Sequence, residues 1–178
     1  LSYRLGLNGA YNRNTVGEIP TADGMVHGLS NMLYDNAEEF YRAQNHFPIG
    51  YFWGYKTAGI FQSEQDIIDW QEAGNGILQA DVKPGDVKYV DIVKDGRIDS
   101  NDKTNLGNGM PDFTMGLSIA LNYKGFDFSI NAYGAMGNDI VQSYRNHANK
   151  QANYASAILD RWTGEGTSNR IPRVTETN

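Results

Sequence analysis

Cysteine is absent from the 178 residues, which removes disulfides, thiol nucleophiles and zinc–thiolate sites together. No run of eighteen apolar residues occurs, so no segment qualifies as a transmembrane helix. Membrane strands stay open, because a barrel strand needs only about 9–11 residues with every second one apolar. Positive charge is scarce. Fifteen Lys and Arg against 21 Asp and Glu leave a net charge of −6, and no basic stripe is available to neutralise nucleic-acid phosphates. Catalytic signatures are missing as well: there is no Gly-x-Ser-x-Gly elbow, phosphate loop or His-Glu-x-x-His pair. His27, His46 and His147 stand alone and suit loop or surface roles. No Asp lies in an apolar setting that would raise its pKa for glycosidase-type acid catalysis. The chain is therefore expected not to be an enzyme. Leu1-Ser2-Tyr3-Arg4 resembles the middle of a strand, and no signal peptide is expected there.

What the chain has in quantity is glycine and tyrosine, 20 and 11 residues. Small residues facing a lumen and aromatic rings at bilayer interfaces suit a membrane barrel, although a soluble β-sandwich can share the composition. Alternation is cleanest in two places. Over residues 1–13, Tyr3, Leu5, Leu7, Gly9 and Tyr11 share one face, and Ser2, Arg4, Gly6, Asn8, Ala10 and Asn12 the other. Over Phe113–Tyr123 the odd positions are apolar, and after Lys124-Gly125 the even positions from Phe126 are apolar. A two-residue turn pairs 123 with 126, 121 with 128, 119 with 130 and 117 with 132, all on the apolar face. Register and pattern agree on an antiparallel hairpin, with Asp127 on the polar side. Each strand has an eleven-residue stretch without charge, the span a tilted membrane strand needs.

Elsewhere the pattern is weaker. Asn14–Asn45 shows no periodicity and is expected to be a long loop with a short helix over Asp35–Arg42. The aromatics of 48–62 (Tyr51, Phe52, Trp53, Tyr55 and Phe61) are expected to pack against neighbouring strands, with sugar stacking as the alternative. Ser63 caps a helix Glu64–Ala73, with Asp66 three residues on and Gly74 as the stop. Three-four spacing of Ile140, Val141, Tyr144, Ala148, Ile158 and Trp162 predicts a surface helix from Asn138-Asp139 to about Trp162. Thr163–Asn178 is expected to be polar loop.

The most distinctive stretch is the acidic loop at 84–111, with five Asp. Asp91, Asp95, Gly96, Asp99 and Asp102 fall on positions 1, 5, 6, 9 and 12 of a calcium loop, with the Arg97 carbonyl as backbone ligand and Ile98 as an inward anchor. Alternate oxygens can converge on one hard cation, and Gly at position 6 allows the bend. Val93 at position 3 offers no oxygen, and Asp102 is shorter than the usual Glu. Ca²⁺ is thus the one cofactor to consider, beside a solvated acidic turn between strands.

Four ordered segments carry a resemblance. GDVKYVDIVKDGRIDSNDKTNLGNGMPDFTMGL, together with PIGYFWGYKTAGIFQS upstream and YKGFDFSINAYGAMGNDI and RWTGEGTSNRIPR downstream, resembles the SusC/RagA family of TonB-dependent outer-membrane transporters. The resemblance implies an all-β chain: a fragment of a large antiparallel transmembrane β-barrel with long extracellular loops and short loop helices. Residues 1–178 would be part of one barrel domain, with the plug and remaining strands outside the sequence. It implies the Gram-negative outer membrane as location and import of a glycan or peptide. The implied partners are a SusD-like lipoprotein, the lipid bilayer, and TonB through the part not in this sequence. Nucleic acid is not expected. The competing expectation is a soluble or cell-surface β-rich binding module with a calcium-stabilised loop.

Overall fold

The computed structural model describes residues 1–28, 39–142 and 154–175. The described residues are all-β in class: antiparallel strands with one α-helix and two short 3₁₀ turns. They divide into two compact units, each described here by itself.

The first unit is described over 1–28, 39–52 and 107–142. Its main feature is a sheet of three long strands, β1 (Ser2–Tyr11), β8 (Phe113–Tyr123) and β9 (Phe126–Met136), in the order β1-β8-β9. The β8–β9 register is the expected one, Tyr123 opposite Phe126 and Ile119 opposite Ile130. Lys124 and Gly125 both have positive φ, 49° and 84°, as a tight turn matching the strand twist requires. β1 pairs with β8 so that Leu5 faces Ile119 and Leu7 faces Leu117.

Opposed residues share a face, so the registers define rows across the sheet. One face reads Tyr3–Leu121–Phe128, Leu5–Ile119–Ile130, Leu7–Leu117–Ala132, Gly9–Met115–Gly134 and Tyr11–Phe113–Met136. The other carries Arg4–Ala120–Ser129, Gly6–Ser118–Asn131 and Asn8–Gly116–Tyr133. Large side chains on the first face cover its glycines: a Cβ at Gly9 would lie 3.0 Å from the Phe113 ring, and one at Gly134 3.1 Å from Met115 Cε. Both long connections, 12–112 and the chain after Met136, leave from the end opposite the turn.

The same unit corrects the reading of Asn14–Asn45 as unstructured. β2 (Met25–His27) pairs with β3 (Tyr41–Gln44), and β3 with the start of β4 (Tyr51–Tyr55). Strands of three and four residues are too short to show alternation, which hid them. Of the helix expected over Asp35–Arg42, residues 39–40 are irregular and Tyr41-Arg42 are strand; the rest lies outside the described residues. Tyr51 is fully buried, stacks on Phe47 at 5.1 Å and donates its hydroxyl to Gln44 Oε1 at 2.6 Å.

The second unit, described over 53–106 and 154–175, has its own core of Ile60, Phe61, Ile67 and Ile98. β5 (Thr57–Ile60) pairs with β6 (Val87–Tyr89), and β7 (Lys103–Asn108) is the hydrogen-bonded neighbour of β4. The helix α1 (Glu64–Glu72) begins as expected. Ser63 Oγ accepts from the Asp66 amide, while the Asp66 carboxylate accepts from the Gln62 amide at 2.8 Å and pairs with Lys88 Nζ at 2.7 Å.

The helix expected from Asp139 to Trp162 is not present where the chain is described. Residues 139–142 are irregular, with the Asp139 amide donating to the Asn108 carbonyl at 2.7 Å. Ser156–Asp160 is a 3₁₀ turn without a side-chain cap, after which the Trp162 amide is drawn to the Ile171 carbonyl at 2.9 Å. Residues 143–153 lie outside the described residues.

Candidate functional site

Three places concentrate chemistry: the acidic loop, the cluster formed by the recognisable motifs, and the long sheet. In the loop, the carboxylates turn inward onto backbone amides. Asp91, 6% exposed, accepts from Lys94 N–H at 2.5 Å and Gly96 N–H at 2.8 Å. Asp102, 1% exposed, accepts from Ile92 and Val93 N–H at 2.8 and 3.1 Å through Oδ1, and from Asp99 N–H at 2.9 Å through Oδ2. The Asp99 amide above all holds the Asp102 carboxyl below its ordinary range, the amides of Val93 and Ile92 adding to it and outweighing the opposing effect of burial. Gly96 takes φ 80°, which brings its amide under Asp91.

The other two acidic positions are on the outside. Asp95 Oδ1 accepts from the Arg97 amide and Asp99 Oδ1 from the Asn101 amide, each an Asx-type cap on its own turn. Ile98 is buried, as an inward anchor should be. The loop closes on a reciprocal cap, since Asp99 and Asp102 each accept from the backbone of the other's turn. Among the described residues, no group of three or more His, Asp or Glu side chains is placed to hold a metal ion. Asp91, Asp95, Asp99, Asp102 and the Arg97 carbonyl share one loop, with Asp91 and Asp102 turned onto backbone amides and Asp95 and Asp99 on the outside. The donor set fits a loop held by its own amides.

The motif residues of 53–63, 84–91 and 161–173 meet in the second unit. Gln62 is the hub: its Nε2 donates to the carbonyls of Ile60 and Ser168, and its Oε1 accepts from Trp162 Nε1 at 3.3 Å and Gly166 N–H at 2.9 Å. Arg173 forms a two-pronged pair with Asp86, Nε to Oδ1 at 2.7 Å and Nη2 to Oδ2 at 3.2 Å. Asn169 Oδ1 accepts from Ile60 N–H. Lys88 lies over Phe61 and Trp70, 5.2 and 5.5 Å from the ring centroids. Every one of these contacts is internal, so the motifs act as scaffold. The aromatics of 48–62 divide accordingly: Tyr51 and Phe61 are buried, and Tyr55 packs edge-on against Tyr89 at 5.6 Å.

The sheet is different in kind. Its apolar face is solvent-exposed: Leu7 is 78% and Phe126 80% exposed, with Tyr3, Leu5, Tyr11, Phe128 and Ile130 also open. A continuous apolar surface of this size on a soluble chain marks an interaction face.

No protein-family model matches the chain. Three curated proteins of Formosa agariphila do: TonB-dependent receptor P26, 33% identical over 126 residues and 69% of this chain; receptor P3, 26% over 174 residues; and receptor P39, 27% over 207 residues, the last two covering 97% of this chain. The chain is similar to a segment of TonB-dependent receptors. It spans only 12–19% of the length of these relatives.

One group escaped the sequence reading. His27, taken as a lone histidine, lies between two acids, Nδ1 3.0 Å from Glu39 Oε1 and Nε2 3.1 Å from Asp23 Oδ2, while Arg42 pairs with Glu39 at 2.8 Å. Glu39 first, then Asp23, raises the His27 pKa. The i,i+4 spacing of Asp23 and His27 was visible; the approach of Glu39 depends on the β2–β3 register, which was not.

Proposed function

We propose that the chain forms part of the wall, and two of the outward connections, of a TonB-dependent importer in the outer membrane of a Gram-negative cell. The observation that carries this reading is the row structure of the β1–β8–β9 sheet. One face carries apolar side chains in every row, most of them exposed, and the opposite face is small or polar apart from Tyr133. Strands of ten and eleven residues match the hydrocarbon thickness when tilted. The apolar face meets lipid and the polar face, with Arg4, Ser118 and Asp127, lines the lumen. Short turns lie on the periplasmic side of such barrels and long connections outside, which puts Lys124-Gly125 inside and the connections of 12–112 and 137–175 outside.

In this reading the imported nutrient is a glycan or peptide, the transporter is of the SusC/RagA type, and a SusD-like lipoprotein covers its mouth. TonB acts through a part of the protein beyond this sequence. The four motif segments support the SusC/RagA assignment, and the relatives support the coarser TonB-dependent one. Calcium in the Asp91–Asp102 loop is a separate proposal. It requires Asp95 and Asp99 to swing inward beside Asp91, Asp102 and the Arg97 carbonyl, and nothing in the wall depends on it.

Spin labels placed singly along 126–136 of the complete protein in liposomes test the wall. Labels at even positions should be reached by oxygen from the lipid, and labels at odd positions by a water-soluble nickel chelate. Uniform nickel access along the strand would instead favour a soluble β-rich binding module, a class for which the self-contained core of the second unit speaks.

A further inference from the structure

The first unit contains a preformed cavity of about 330 Å³ at the end of the long sheet away from the tight turn, lined by residues 11–15, His46, Pro48, Asn108 and 110–112. Its walls are tied by backbone. Asn12 N–H donates to the Asp112 carbonyl at 2.8 Å, His46 N–H to the Val16 carbonyl at 3.0 Å, and Ile49 N–H to Asn14 Oδ1 at 2.8 Å. His46 takes φ 67° at the bend, so its ring position is set by an uncommon backbone conformation.

The lining holds one cation, Arg13, in a chain of net charge −6, together with the His46 ring. Neither the Arg13 guanidinium nor the His46 ring has a side-chain hydrogen bond or ion pair with any residue of the described chain. Asp112 is the single acid in the lining and forms no ion pair with Arg13; its Oδ2 rests where a Cβ on Gly137 would stand 2.5 Å away. Asn12 and Asp112 continue the even positions that face the polar side of the sheet.

We propose that this cavity is a binding subsite for a small, hydroxyl-rich carboxylic acid, a sugar acid in chemical class. Arg13 offers the planar fork that pairs a carboxylate through two parallel N–H bonds. Asp112, free of a cation, accepts hydrogens from ligand hydroxyls, and the Asn12 amide serves either role. The volume is at the small end of ligand pockets, the size of one sugar unit rather than a chain. The lining is mainly polar, which disfavours an apolar guest. The proposal deepens the import reading and rests on it for access to the cavity from outside.

The test is a calorimetric titration of the complete protein in detergent with D-glucuronate, with D-glucose as the uncharged match. Glucuronate should bind saturably and glucose at least about tenfold more weakly, the equivalent of one charged hydrogen-bonded pair. Arg13→Gln should abolish the preference and Arg13→Lys restore part of it, with both variants retaining the parent's heat-modifiable mobility as the folding control. Equal binding of glucose, no binding of glucuronate, or an Arg13→Gln variant that binds as the parent does would overturn the subsite. Binding in detergent but not on intact cells would leave the subsite standing and overturn the outward orientation instead.

Discussion

The two units solve the burial of apolar side chains in opposite ways. In the second, Ile60, Phe61, Ile67 and Ile98 are covered by the chain itself, and the charged groups near them are paired, Asp66 with Lys88 and Asp86 with Arg173. In the first, five successive rows of the long sheet put their large apolar residues into the open. At about 25 cal/mol per Å² of apolar surface, leaving such a face in water would cost many kcal/mol. The difference teaches that the second unit covers its apolar side chains within itself, while the long sheet leaves a whole apolar face for another surface to cover. In the proposed barrel that covering is lipid.

The largest expected effect attacks that contrast directly. Ile119→Arg, at the centre of the Leu5–Ile119–Ile130 row, should destabilise the membrane-inserted protein by about 2–4 kcal/mol, while Ser118→Arg on the opposite face should cost much less. Urea titration of heat-modifiable mobility measures both. Equal tolerance would place both faces in water and erase the distinction between the units.

A smaller change sharpens the other side. Asp102→Ala removes the acceptor of three amides, Ile92, Val93 and Asp99, in a buried position. A loss of about 2–3 kcal/mol of local protection is expected there, read as faster amide hydrogen exchange confined to 91–102. Exchange at parental rates would mean these amides do not depend on the carboxylate.

The β2–β3 tie responds to pH with a definite sign. The folded pKa of His27 is raised above its unfolded value of about 6.5. Its contribution is therefore complete below about pH 6.5 and is lost as pH rises through the folded value. The side chain is half exposed, so the effect should be no more than about 1 kcal/mol. Imidazole titration by NMR should show the raised pKa in the parent and a return toward the ordinary value in Glu39→Gln. An unchanged pKa in that variant would remove Glu39 as its cause.

Smallest of all is the expected response to calcium. With Asp91 and Asp102 already engaged by amides, millimolar Ca²⁺ should slow exchange in 91–102 only slightly relative to chelator, as the proposed ligand set regroups around the ion. Identical rates in Ca²⁺ and in chelator would overturn the calcium proposal.

How much of this was legible in the sequence depended on the length over which a pattern could repeat. The hairpin at Phe113–Met136 was readable to the residue because eleven-residue alternation and a two-residue turn overdetermine the register. α1 was readable from a local cap, Ser63 to Asp66. β2 and β3 were not, since three or four residues carry no period and their pairing is set across the intervening chain. The segment after Asp139 misled at its two described ends: three-four spacing describes a helical face, but the Asn108 carbonyl takes the Asp139 amide and the Ile171 carbonyl the Trp162 amide. At the acidic loop, spacing gave the positions of the carboxylates but not their direction. Asp102 and Asp99 became reciprocal caps, which depends on dihedral angles that no spacing rule contains.

Phe113 over Gly9 and Met115 over Gly134 give the apolar face of the long sheet a texture. Each glycine alone would leave a notch, and in both cases a neighbouring strand's side chain fills it. In the proposed barrel, acyl chains meet an even wall at these two places, without a notch to hold one lipid or to key in the ridge of a neighbouring membrane protein. A methyl group at Gly9 would lift the Phe113 ring into the hydrocarbon and turn that smooth stretch into a protruding knob, the kind of irregularity on which lateral association begins.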